Sequence, residues 1–334
     1  MPGKAIIAMM IMAASSFACR DFAVPPGPPA RGAEDIDALH SIVAADYPYL
    51  SFKRIAWDSL CTVYRSRAER AQGDEVLFVL SDLLAELKDG HTQLMSAGGG
   101  PPTFPWRYPR GERDRRLYSP EAVRHYAALS LTGDGHIEYG MMPGNIGYIY
   151  IGTWGAGKRE WAYDIDAVLE TMKGTAGLVL DLRNNTGGST QVSDVVLRRF
   201  LTVPLPGLQV FEHGFRLPDG YIPTRGDWAY TRPVCVLING TSFSATEVVT
   251  EELAQLPNIT TVGDTTGGGG GEQRLYTLPD GFRVQLSHKE LRRYDNAPIE
   301  WNGIVPDVLV MNTKETVEQG RDLQLEAALR RLSP

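Results

Sequence analysis

The sequence predicts an α/β protein, in which a core of strands joined by helices follows a smaller helical region. From residue 146 onward, short apolar runs alternate with segments of helical periodicity, a pattern typical of such a core. The run at residues 177–182 is apolar throughout and ends in a polar turn, as expected of a core strand. Before residue 146, Val76, Leu80 and Leu84 recur at helical spacing, which predicts helices there.

Composition and the positions of proline and glycine residues divide the chain further. We predict a signal segment over residues 1–19, a proline-rich tether over 20–33, a helical domain over 34–96, a loop-rich connector over 97–143 and a core domain over 144–334. The tether contains four prolines between residues 25 and 29, which is unsuited to a packed element. No internal repeat is evident.

The elements follow in order along the chain. In the helical domain we predict helices over residues 35–45, 57–70 and 76–87, with a break at Pro48 because proline disfavours helix at the preceding residue. In the core we predict strands over residues 146–151, 177–182, 234–238 and 259–262, helices over 161–172, 189–201 and 244–256, and a hairpin over 274–278 and 282–286.

The overall composition excludes several classes of protein. Of 334 residues, 43% are hydrophobic and 22% charged, which is ordinary for a globular protein. The 33 basic and 40 acidic residues give a formal net charge of −7. Without a basic tract, nucleic acid is a poor candidate for a partner. No Cys/His/Asp cluster has metal-ligand spacing, so neither a metal nor another cofactor is expected.

Residues 1–19 read as a secretory signal. Lys4 precedes an apolar run at residues 5–14, which is too short to span a bilayer. The small residue before Cys19 resembles the cleavage site of a bacterial lipoprotein, although Phe17 is bulkier than usual there. We therefore expect export to the periplasm or to the outer-membrane or cell surface of a bacterium. Lipidation of Cys19 into a membrane tether and an ordinary cleaved signal both stay open.

Ser244 is the first candidate for a reactive side chain. It lies at the junction of an apolar strand and a helix, within the run Asn239 to Glu247. Backbone N–H groups at a helix start favour developing negative charge, which suits a nucleophile. Serine also caps helices in many proteins, so this stretch alone favours capping. The run lacks a G-x-S-x-G elbow, which argues against an α/β-hydrolase.

Five segments in order resemble the tail-specific (C-terminal processing) and tricorn-core serine peptidases, over about residues 35 to 330. They are residues 84–92 (LAELKDGHT), 180–188 (LDLRNNTGG), 239–247 (NGTSFSATE), 262–268 (VGDTTGG) and 303–307 (GIVPD). The resemblance implies a peptidase core of the crotonase-like ββα type. It also implies a peptide or protein as substrate.

The resemblance assigns roles to single residues. Ser244 matches the nucleophile. One branch of the family pairs it with a lysine about twenty-five residues later, but that count reaches Gly269, so a Ser/Lys mechanism is not expected. The tricorn-like branch uses a histidine and a glutamate, which His91 and Glu300 match. Histidine is the natural base for a serine near neutral pH. The tricorn core also has a serine beside its histidine, and Gly90 occupies that place here.

The same resemblance places an oxyanion hole at Gly187 and Gly188 and at the N–H of Ala245. Glycine lets the backbone approach a substrate closely. The glycine run at residues 267–271 is expected to line the substrate site, since it lacks the G-K-S/T ending of a phosphate loop. His288 is the reserve candidate for the base.

Two alternatives to a peptidase stay open at this point. A PDZ domain, which lysine-type relatives often carry, does not fit in the connector over residues 97–143. The chain could be a non-catalytic protein that binds an apolar ligand or a peptide on the same fold, as retinoid-binding relatives do. It could also hydrolyse a non-peptide ester or amide.

We interpret Cys61 and Cys235 as buried hydrophobic residues rather than nucleophiles.

Overall fold

The computed structural model describes residues 31–155, 157 and 159–333. The predicted signal segment, including Cys19, and most of the tether lie outside the described residues. The helices are α1 (Gly32–Asp46), α2 (Trp57–Ala68), α3 (Glu75–Ala85), α4 (Pro109–Arg115), α5 (Pro120–Arg124), α6 (Ile165–Thr171, after a 3₁₀ turn at Arg159–Asp164), α7 (Thr190–Leu197), α8 (Ala245–Leu253), α9 (Lys314–Glu318) and α10 (Leu323–Leu332). Helix α1 begins at Gly32, inside the predicted tether.

The strands are β1 (Gln93–Met95), β2 (Leu129–Leu131), β3 (Ile137–Met142), β4 (Ile146–Ile151), β5 (Gly177–Asp181), β6 (Leu205–Pro206), β7 (Gln209–Glu212), β8 (Phe215–Arg216), β9 (Tyr221–Ile222), β10 (Val234–Ile238), β11 (Ile259–Gly263), β12 (Gly271–Thr277), β13 (Arg283–Arg292) and β14 (Val308–Leu309). Within the described ranges no helix is both long and apolar enough to cross a membrane.

A seven-stranded sheet forms the core, in the order β14-β11-β10-β5-β4-β3-β2. Strands β4, β5, β10, β11 and β14 are parallel, and the β2–β3 hairpin adds an antiparallel edge. Helices α6, α7 and α8 pack on one face and α10 on the other. Both β5 and β10 are buried along their whole length, which explains their continuous apolar runs. The predicted α/β core is confirmed.

A second, five-stranded sheet packs against the helical region. Strand β13 lies at its centre and pairs with β12 on one side and with β1 and β7 on the other. Helices α1 to α3 share a buried apolar cluster with this sheet, in which Leu80 and Leu83 pack with Val284 and Leu286. The predicted hairpin is present, but its strands are longer than their apolar runs and reach Gly271 and Arg292.

The connector over residues 97–143 has more structure than its composition indicates. It contains α4, α5, β2 and β3. Asp114 in α4 accepts a hydrogen bond from the N–H of Gly240, with 2.6 Å between nitrogen and oxygen. The hydroxyl of Thr241 donates to the carbonyl of Gly111 at 2.8 Å. These bonds tie the connector to the turn that precedes Ser244.

Candidate active site

Three loops meet at one edge of the seven-stranded sheet. Strands β5, β10 and β11 are parallel neighbours, so their carboxyl ends lie side by side. The turn after β5 holds Gly187 and Gly188, the turn after β10 ends at Ser244, and the loop after β11 holds the glycine run at 267–271. Ligand sites of open α/β sheets form at this edge.

Ser244 has a backbone conformation that few residues with a side chain adopt, with φ 59° and ψ −122°. Hydrogen bonds hold the chain on both sides of this conformation. The N–H of Phe243 donates to the carbonyl of Asn185 at 3.0 Å, and the N–H of Ser244 donates to Oε2 of Glu247 at 2.9 Å. Strain of this kind persists only where the surroundings impose it, and it is concentrated at functional sites.

His91 is the side chain that meets Ser244. Its Nε2 lies 2.8 Å from the Oγ of Ser244, although 153 positions separate the two residues in sequence. Phe243 packs on the imidazole, with 4.6 Å between ring centroids. Burial lowers the pKa of His91 below its ordinary value; the charge of Asp89 opposes this shift and that of Lys53 adds to it. The imidazole is therefore neutral near pH 7 and able to accept a proton.

A carboxylate fixes the backbone of His91 rather than its ring. Oδ1 of Asp89 accepts from the His91 N–H at 2.8 Å, and its Oδ2 accepts from the hydroxyl of Ser287 at 2.9 Å. The ring's Nδ1 is buried and has no hydrogen-bond partner among the residues that the structure describes. Packing thus holds the ring, without an acceptor at its second nitrogen.

Glu300 is fully buried, and its carboxylate bonds to groups other than His91. Its Oε1 lies 2.6 Å from the hydroxyl of Tyr108 and 2.5 Å from Nζ of Lys53, and its Oε2 accepts from the N–H of Gly270 at 3.2 Å. In the described part of the chain no hydrogen bond joins this carboxylate to the imidazole. Burial raises the pKa of Glu300 to about 8; Asp89 adds to the rise, and Lys53 and Tyr108 oppose it. The contact with Lys53 was not predicted, since no motif surrounds that lysine.

Only two of the three predicted oxyanion donors are available. The N–H of Gly187 donates to Oδ1 of Asn185 at 3.0 Å. The N–H groups of Gly188 and Ala245 donate to no acceptor within the described ranges. Gly187 instead gives Ser244 room, because a Cβ there would lie 2.7 Å from the Ser244 Cβ. Its φ of 95° is also one that glycine adopts most readily.

Glycine also fills the place of the absent lysine. A Cβ on Gly269 would overlap the ring of Phe243 and lie 2.9 Å from Cε1 of His91. A Cβ on Gly90 would lie 3.0 Å from the rings of Phe243 and Tyr108. A side chain at either position would displace the packed rings that hold the histidine.

Glu247 connects Ser244 to the glycine loop. Its carboxylate is fully buried and accepts four hydrogen bonds, from the hydroxyl of Thr266 and from the N–H groups of Ser244, Gly268 and Gly269. Burial raises its pKa, and these bonds oppose the rise. The S-x-x-E pattern from Ser244 to Glu247 was the available signal, since a glutamate three residues after a helix cap commonly turns back to the cap.

A cavity of about 530 Å³ opens beside the Ser244–His91 pair. The connector forms one wall with Phe104, Arg107 and Tyr108, and Gly188 lies on the other side. The volume suits a short stretch of extended peptide or a small molecule.

The other sequence candidates lie elsewhere. The Nδ1–H of His288 donates to the carbonyl of Glu272 at 3.0 Å, and its Nε2 faces Glu212 rather than Ser244. The reserve base is therefore not brought to Ser244. Cys61 and Cys235 are buried and free, which matches their interpretation as apolar residues.

Comparison with known families agrees with this geometry. A family model described as peptidase family S41 matches residues 145–310, which include the turns at Gly187 and Ser244. A carboxyl-terminal-processing protease of Synechocystis is 30% identical over 189 residues. Residues 145–310 belong to peptidase family S41. This similarity covers 55% of the S41 chain and 43% of the Synechocystis protein, so the chain spans less than half of that relative's length.

Solved structures extend the similarity to the helical region. The crystal structure of a proposed peptidase from Parabacteroides merdae ATCC 43184 is 29% identical in sequence to this chain. The two structures superpose with a TM-score of 0.79, over 91% of this chain and 98% of the other. Mature CPAF in complex with lactacystin has a TM-score of 0.69 over 90% of this chain and 97% of its own, at 13% identity, which shows a common fold. The predicted relationship and the α/β peptidase fold are both confirmed.

Proposed function

We propose that this S41 protein is a serine peptidase in which Ser244 is the nucleophile and His91 the general base. The observation that carries the proposal is the 2.8 Å contact between Nε2 of His91 and Oγ of Ser244. A serine hydroxyl is a poor nucleophile until a base takes its proton, and a neutral buried imidazole at hydrogen-bond distance is such a base.

The reaction follows from these positions. His91 takes the Ser244 proton while Oγ attacks the substrate carbonyl, which forms a tetrahedral oxyanion. The N–H groups of Gly188 and Ala245 stabilise that charge. The C–N bond then breaks as His91 gives its proton to the departing amine, which leaves an acyl group on Ser244. Water repeats the sequence, with His91 again as the base, and releases the acid.

Glu300 acts in this proposal through charge rather than direct contact. The imidazole becomes positive when it accepts the serine proton. The charge of Asp89 favours that form, and Glu300 adds to it only where it is ionised, above its raised pKa of about 8. The tricorn-like assignment of Glu300 is therefore retained as a catalytic role to be tested. Gly187 provides space for the nucleophile, and its N–H is already bonded.

We further propose a peptide or protein as the substrate, since the cavity of about 530 Å³ beside Ser244 has room for a short stretch of extended peptide. Export, with a lipid on Cys19 as membrane tether, is proposed from the signal-like residues 1–19 alone. The binding-protein alternative gives no reason for a strained serine in contact with a buried imidazole.

Labelling with a fluorophosphonate probe tests the function without a known substrate, since the probe reacts only with an activated serine. We expect the wild type to label at Ser244, as located by peptide mapping. Ser244→Ala and His91→Ala should abolish labelling while the melting temperature changes little. Absence of labelling in folded wild type, or labelling that persists in His91→Ala, would contradict the proposal and favour a binding protein.

A further inference from the structure

Lys53 is a lysine whose side chain is wholly inside the protein. It lies between α1 and α2, and its side chain has 0% exposure. The rings of Tyr47, Tyr49 and Trp301 surround its Nζ at 5.5 to 5.6 Å. An ammonium group is unfavourable in such a place unless it is paired and hydrogen-bonded. The groups that bond to the ammonium group of Lys53 therefore indicate the role of this residue.

Those partners come from two distant parts of the chain. The Nζ of Lys53 donates to the carbonyls of Leu87 and Lys88, each at 3.0 Å, and to the hydroxyl of Tyr47 at 2.9 Å. The two carbonyls follow the end of α3, where carbonyls lack helical partners, and His91 comes three residues after Lys88. On its other side, Nζ lies 2.5 Å from Glu300.

The geometry points to Lys53 as a positioning residue of the proposed peptidase site, which joins the segment that carries His91 to the carboxylate of Glu300. The inference rests on the proposed function, since it assigns a role within the same site. A single ammonium group both fixes the chain before the base and supplies the counter-charge of the buried glutamate. Neither role requires contact with the substrate.

One consequence separates positioning from mere support of the fold. Glu300 serves the imidazolium only when it is ionised, and Lys53 is the cation that favours ionisation, against burial and the charge of Asp89. The other titratable groups around the carboxylate, Tyr47, Tyr49 and Tyr108, bring no positive charge. Removal of Lys53 should therefore raise the pKa of Glu300 beyond about 8, so that activity develops only at more alkaline pH.

The first experiment measures the rate constant for fluorophosphonate labelling of Ser244 as a function of pH. We expect Lys53→Met to lower this rate constant about 100-fold at pH 7, which is a typical cost when a catalytic group is slightly misplaced. The variant should also move the acid limb of the pH–rate profile to higher pH. In Glu300→Gln that limb should instead move below pH 6.5, since only the lowered pKa of His91 remains. Lys173→Met is the matched control, because Lys173 also pairs with a glutamate and an aromatic ring but is exposed.

The second experiment does not depend on catalysis. The imidazole of His91 is titrated by NMR in histidine-labelled protein and assigned from the signal lost in His91→Asn. The charge of Lys53 lowers the pKa of His91. Removal of Lys53 in the Glu300→Gln background, which leaves neither member of the buried Lys53–Glu300 pair without the other, should therefore raise the pKa of His91. This double variant also serves if Lys53→Met alone does not fold.

The outcomes are distinct. If Lys53→Met only lowers the melting temperature, with an unchanged pH profile and an unchanged His91 titration, Lys53 is structural and the inference is wrong. If the wild type never labels at Ser244, the proposed function fails, and the His91 titration still decides whether Lys53 sets the charge environment of that histidine.

Discussion

Gly269 determines which base can lie beside Ser244. Lysine-type relatives carry their base at this count from the nucleophile, whereas here the backbone of residue 269 packs against Phe243 and His91. A side chain at this position and the imidazole of His91 cannot both occupy the site as it stands. The absence of the lysine and the presence of the histidine are therefore one structural feature rather than two.

Gly269→Ala tests this packing. The added methyl group would overlap Phe243 and lie 2.9 Å from Cε1 of His91, so the imidazole should move away from Ser244. We expect labelling of Ser244 to fall about 100-fold. Gly98→Ala is the control, since a Cβ there meets nothing within 4 Å. A wild-type labelling rate in Gly269→Ala would show that the added methyl group does not displace His91.

Single residues also show how far sequence could lead. Ser244 and His91 were predicted to meet because each lies in a recognisable run, and the structure places them 2.8 Å apart. Lys53 could not be found this way, because a buried lysine differs from a surface lysine only through contacts with Leu87, Lys88 and Glu300 far along the chain. The bond between Gly187 and Asn185 was likewise invisible, since it depends on a turn conformation.

At the scale of elements, α8 and the loop after β11 act as one unit because Glu247 bonds to both. Each carboxylate oxygen accepts two hydrogen bonds: Oε1 from Thr266 and Gly268, and Oε2 from Ser244 and Gly269. The bonds fix the strained turn of the nucleophile relative to the glycine loop that packs on His91. Sequence predicted both elements, although it extended α8 beyond Leu253.

Glu247→Gln should separate these two elements. Whichever way the amide is placed, its NH₂ group faces a backbone N–H, so at least one buried donor loses its acceptor. We expect unfolding to become easier by about 1–3 kcal/mol and labelling of Ser244 to slow. Thermal melts and labelling rates measure both effects. Glu315→Gln, at an exposed position in the first turn of α9, should change neither. A variant as stable and reactive as wild type would refute the coupling.

At the scale of the whole molecule, the proposed base and the proposed nucleophile come from parts of the chain that the sequence divides into domains. His91 and Lys53 belong to the helical region, and Ser244 to the core. The two parts share an apolar cluster, in which Leu80 and Leu83 of α3 pack with Val284 and Leu286 of β13. Strand β1 also pairs with β13. Composition cannot reveal such sharing, because long-range packing leaves no local pattern.

We therefore expect residues 144–333 alone not to fold as a unit, even though the family model begins near that boundary. Without α1 to α3 and β1, the apolar face of β13 would be exposed to water, which favours aggregation. The fragment should show no cooperative thermal transition and no labelling at Ser244, whereas residues 31–333 should show both. Calorimetry of the two proteins measures the difference. A cooperative transition in the fragment, at a temperature close to that of the longer protein, would instead mean that the core is an independent domain. The helical region would then contribute only the proposed base, His91.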